Sequence, residues 1–193
     1  MLHTIIGRIA RGTAIIGGGV LALLVILTTL SILGRTLSKW AHSDWAESWM
    51  AGLATWVAGT GIDEIPGTYE LTEAGVAFAI FAFLPVCQFY GAHATVDVFT
   101  AGMGQRVTRI LRAFWEICLT ATLIFLAERL WSGMNRYIGN GETTLFLQFP
   151  VWWAYAVSVA AAILACIVGL YCAYARLREA LTNRDILPQG EGA

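Results

Sequence analysis

Residues 12–34 read GTAIIGGGVLALLVILTTLSILG, a run of about 23 positions without one charged side chain. A stretch this long and apolar is long enough for a helix to cross the hydrocarbon of a bilayer. His3, Arg8 and Arg11 precede it, which resembles the charged start of a signal peptide. The run exceeds the about 7–15 apolar residues of a signal core, however, and no pair of small residues in the A-x-A pattern closes it. The expectation is an uncleaved first transmembrane helix.

The rest of the chain agrees. Of 193 residues 58% are hydrophobic and 13% charged, and the mean hydropathy is +0.67. Soluble domains carry roughly a quarter charged residues, so this chain lacks the polar surface to face water all round. A net charge of −1 supplies no basic field for nucleic acid. Cys87, Cys118, Cys166 and Cys172 all lie in apolar stretches, without a C-x-x-C pair or a histidine at metal spacing, and read as small hydrophobes.

Working outward, four spans are predicted, at about 12–33, 71–91, 110–131 and 150–174, in a single membrane domain covering 1–193. The fold class is all-α. Pro150 suits the first turn of span four. Trp152, Trp153 and Tyr155 at its entry and Tyr171 and Tyr174 at its exit mark two interfaces, roughly 28 Å apart on a helix. Pro85 is expected to kink span two. Orientation follows from the basic residues. Arg8 and Arg11, then Arg106, Arg109 and Arg112, then Arg176, Arg178 and Arg184 fall on one side. By the positive-inside rule both termini, including a tail at 176–193, are expected in the cytoplasm.

The external loop at about 35–68 contains Trp45, Trp49, Leu53 and Trp56 at helical spacing, one apolar stripe on a helix of about 44–58. Asp44 and Glu47 give it a capping-box-like start. The reading is an amphipathic helix lying on the outer interface, with a loop packed on a partner as the alternative. Small residues recur every four positions in span four, at Ala161, Ala165, Gly169 and Ala173, and in span one at Ala14, Gly18 and Ala22. Such faces let helices approach closely in lipid.

Chemistry is sparse. Arg109, Arg112 and Glu116 share one face and are expected to form an ion pair at the cytoplasmic interface. No span has a central ionisable residue, Gln88 is a lone amide, and His3, His42 and His93 provide no haem pair. No catalytic, cofactor or metal site is expected.

One stretch is more specific. Tyr69-Glu70-Leu71 opens span two, and Gly91-Ala92-His93-Ala94-Thr95-Val96-Asp97 closes it. A glutamate at the start of the second helix, then G-x-H-x-x-V-D about twenty residues on, resembles the small membrane subunit of TRAP transporters, the DctQ family. Arg35 after span one belongs to the same pattern. Thr36 stands where the family usually has an aromatic residue, and the Trp-rich segment lengthens the loop. The resemblance implies a scaffold subunit in a bacterial inner membrane. Its partners would be a large membrane subunit carrying substrate and Na+ and a periplasmic binding protein that captures an organic acid. It also implies that Arg35, Glu70, Gly91, His93 and Asp97 serve structure or subunit contact. His93 and Asp97, four apart, could pin the turn after span two or touch the partner. Outside that resemblance, the readings are an accessory subunit of another membrane complex, or a self-sufficient small membrane enzyme or channel.

Overall fold

A computed structural model describes residues 2–43, 48, 52–53, 55–57, 59, 61, 63–91 and 105–182. Four long helices alternate in direction: α1 Leu2–Ala41, α2 Thr68–Tyr90, α3 Gln105–Asn140 and α4 Trp152–Thr182. Each is long and apolar enough to cross a membrane. One end of the array holds the start of α1 and the end of α4, and is called the terminal end here. The other holds the α1–α2 and α3–α4 connections, and is called the loop end.

The helices outrun the predicted spans. At 40 residues α1 is roughly 60 Å long, about twice the hydrocarbon thickness. One start is shifted. The helix α4 starts at Trp152 rather than Pro150, because Pro150 is engaged in an antiparallel bridge with Thr143; its carbonyl accepts the Trp153 N–H at 3.0 Å. At its other end α4 extends past the predicted span, into the segment read as a tail at 176–193. The helix runs on to Thr182 because Cys172, Ala175, Arg176 and Glu179 continue its buried face. Pro85 is buried inside an unbroken α2.

Packing runs in the order α1, α2, α4, α3, with only a slight contact between α1 and α4. The α1–α2 pair has a regular antiparallel register. Gly17 faces Ala82 and Leu24 faces Gly75; a Cβ on either glycine would come within 2.9 and 2.6 Å of the opposite side chain. Ala10, Gly17, Leu24 and Ser31, seven residues apart, are all buried, the repeat that keeps one seam of a helix against a neighbour. Within the chain the α1–α2 seam thus runs through Gly17, while on the Ala14, Gly18, Ala22 face Gly18 is half-buried and Ala22 exposed. At the terminal end α1, α2 and α4 converge on a core of Ile6, Ala10, Phe89, Val168, Cys172 and Ala175. Toward the loop end α1 and α4 splay, leaving an apolar groove of about 380 Å³ floored by Phe78 and Ala82.

The Trp-rich segment falls partly outside the described residues, Trp45 and Trp49 among them. Of the remainder, 52–53 and 55–57 are helical. Leu53 and Trp56 are exposed there, while Val57 is buried.

Candidate functional site

At the loop end, side chains of α1 and α2 hold the two connections in place. Arg35 reaches Glu64 at 3.4 Å across solvent-facing surface. One residue earlier, Gly34 lies against the Asp63 carbonyl, leaving no room for a Cβ. The buried Ser31 Oγ lies 3.2 Å from both the Ile65 N–H and the Thr68 hydroxyl. Together they fasten the segment that leads into α2 onto the end of α1.

Glu70 stands in the first turn of α2 and reaches the other connection. Its carboxylate accepts the Phe146 N–H at 2.7 Å and the Leu147 N–H at 3.1 Å. Gly67, at φ 78°, precedes the helix, and the Leu147 side chain occupies the space its Cβ would need. Glycine is required there on both counts, since a left-handed backbone is strained for other residues. At the opposite, terminal end of α2, Gly91 closes the helix with the same left-handed backbone, at φ 63°, and its N–H faces the Cys87 and Gln88 carbonyls, an αL helix stop. His93 and Asp97 lie outside the described residues.

Nearer the terminal end a polar cluster is enclosed between α2, α3 and α4. Gln88 is 1% exposed and, among the described residues, neither amide atom has a hydrogen-bond partner. It lies beside Gly169, where a Cβ would stand 2.9 Å from the Gln88 Oε1 and 3.3 Å from the Thr120 Oγ1. Thr120 donates to the Gly169 carbonyl at 3.2 Å. Further down α4, Arg176 and Glu179 form a buried ion pair at 2.9 Å.

Glu116, expected in an ion pair with Arg109 and Arg112 at the interface, is buried. The buried face of α3 is Ala113, Glu116, Thr120 and Leu123, at the i, i+3, i+4, i+7 spacing of a helix stripe, and α4 is the helix packed on it. Glu116 is thereby turned inward. Its Oε1 lacks a hydrogen-bond partner among the described residues, and the guanidinium acting on it is that of Arg176. Ala161, Ala165 and Gly169 are buried on α4 and Ala173 is half-buried. The buried face runs through Val168, Cys172 and Ala175 rather than through Ala173.

Sequence reasoning treated Gln88 as an isolated amide and missed Thr120 and the Arg176–Glu179 pair. Arg176 and Glu179, three apart at the end of an apolar run, were the available signal.

A family model described as "Tripartite ATP-independent periplasmic transporters, DctQ component" matches residues 62–179, more than half of the chain. The chain belongs to the DctQ family. No curated protein and no solved structure matches it. Glu70, Gly91 and the enclosed cluster lie inside the matched region, and Arg35 lies before it. As a DctQ component with four long apolar helices, the protein is an integral membrane part of a TRAP transporter. The family is one of transporter components rather than enzymes, and it implies in general a large membrane subunit and a binding protein as associates.

Proposed function

We propose that this DctQ chain is the small scaffold subunit of a sodium-coupled TRAP system that imports an organic acid across a bacterial inner membrane. It packs against the large subunit, which holds the substrate and Na+ sites, and both its termini face the cytoplasm. The observation that carries this reading is the family match over residues 62–179. The distribution of apolar surface supports it. Along α3, Ile110, Phe114, Ile117, Ile124 and Trp131 are exposed, and α4 is the helix that α3 packs on extensively. Such flanks suit packing on a larger membrane protein.

On this reading the whole chain is one membrane domain, and the Trp-rich segment at about 44–58 lies along the periplasmic interface, where the loop end supports docking of the binding protein. Arg109 and Arg112 face the cytoplasmic headgroups, and His93 and Asp97 brace the turn after α2 or touch the large subunit. The test is reconstitution in liposomes. Together with its large subunit and binding protein, the chain is expected to support uptake of an organic anion driven by an inward sodium gradient. Uptake by the large subunit and binding protein without this chain, at an undiminished rate, would sink the scaffold role.

A further inference from the structure

Between α3 and α4 the chain forms a hairpin-like loop in which four backbone N–H groups, two of them at the tip, are satisfied from within the protein. The Thr144 N–H donates to the Phe149 carbonyl at 2.9 Å and the Val151 N–H to the Glu142 carbonyl at 3.1 Å. At the tip, the Phe146 and Leu147 N–H groups donate to the Glu70 carboxylate. The side chains there are apolar and point outward: Leu145 is 83% exposed and Phe146 65%. No charged residue occurs from Thr143 to Ala175.

A loop tip in water normally has the reverse arrangement, with polar side chains outside and backbone N–H groups open to solvent. Backbone groups satisfied internally beneath outward apolar side chains are what a medium without water demands. We propose that the Leu145–Phe146 tip is a lipid anchor, seated at the boundary between headgroups and acyl chains, with Glu70 supplying the hydrogen bonds that let the tip backbone leave water. Two other aromatic groups at the loop end, Tyr69 and Trp153, are also exposed, and such side chains suit that boundary. The carboxylate nearest the tip, Glu70, is engaged by the Phe146 and Leu147 N–H groups, and the chain itself carries no charge from Thr143 through the whole hydrophobic length of α4 to Ala175. Only the naming of this leaflet as the periplasmic one rests on the orientation proposed above, and the test does not depend on it.

The test places a photoreactive benzoylphenylalanine at Leu145, in the full chain assembled with its transporter partners in lipid. Lipid adducts are expected to dominate. Adducts mainly to the large subunit or to the binding protein would overturn the proposal. A second measurement uses a fluorophore on Leu145→Cys, in a chain with the four native cysteines replaced by alanine, in phosphatidylcholine–phosphatidylglycerol vesicles. A shallow doxyl lipid is expected to quench it about twofold, whereas a fluorophore on Glu142→Cys responds to aqueous iodide instead. Equal iodide quenching at the two positions would refute the anchor. With Glu70→Ala in the photoreactive chain, lipid adducts should fall about twofold as the tip backbone seeks water; an unchanged yield removes the role given to Glu70.

Discussion

The two ends of the helix array handle charge in opposite ways. At the loop end Arg35 and Glu64 meet at 3.4 Å with 56% and 51% of their side-chain surfaces exposed. At the terminal end Arg176 and Glu179 meet at 2.9 Å with 10% and 4% exposed. Water can replace either partner of the first pair, so the pair holds a connection in place without carrying much of the stability. For the second pair, loss of one partner removes the charge that balances the other in an enclosed site, where water replaces it poorly, so the fold leans on both being present. Charge is a fastener for loops at one end and a condition for helix packing at the other.

The largest expected effect therefore lies at the terminal end. Glu179→Ala removes the carboxylate 2.9 Å from Arg176 in an enclosed site and should lower stability by about 3 kcal/mol, read as a fall in the thermal unfolding midpoint in detergent. The double change Arg176→Met with Glu179→Met should recover most of the loss; a double variant as unstable as the single one would show that the pair is not what the packing requires. Next comes Gly169→Ala, which pushes a methyl group onto the Gln88 amide. A loss of about 1–3 kcal/mol is expected from overpacking. Adding Gln88→Ala should relieve it, and strict additivity of the two changes would argue against their contact.

The loop end should respond less. Gly67→Ala combines a left-handed backbone with contact against Leu147 and should cost about 1–2 kcal/mol; proteolysis of the α3–α4 connection would register the loosening. Arg35→Ala is expected to change the unfolding midpoint by no more than about 1 kcal/mol equivalent. If transport in the reconstituted complex then fell while stability held, Arg35 would act on a partner, and the contrast between the ends would become one of function as well as energy.

Hydropathy made the four helices legible, because a bilayer imposes a length that a composition window can find. Rotation about each helix axis was harder to read. Gly17, Gly18 and Gly19 are consecutive, so small-residue spacing could not say which of them meets α2. Glu116 sits one turn from Arg112, and local spacing pointed to an ion pair at the cytoplasmic interface. Which face of α3 receives α4 is a tertiary fact, and it placed Glu116 inside. The motif positions were easier where backbone geometry explains them: Gly91 is a left-handed helix stop. Glu70 was recognised at the head of α2, but its bonds to Phe146 and Leu147 join residues 76 and 77 positions apart, and no local pattern encodes such a reach.

The order α1, α2, α4, α3 has a consequence for how the protein is made. During synthesis α1 and α2 can pair as soon as both have entered the membrane. The helix α3 emerges next, yet α2 offers it no extensive interface. It must wait in the bilayer until α4 is translated and slots between them, bringing Gly169 against both Gln88 and Thr120. Domains generally assemble from the N-terminus as the chain lengthens, and here the last helix to arrive is the one on which two others depend. A ribosome stalled before residue 152 would leave a stable hairpin beside an unclaimed helix, a natural substrate for membrane quality control.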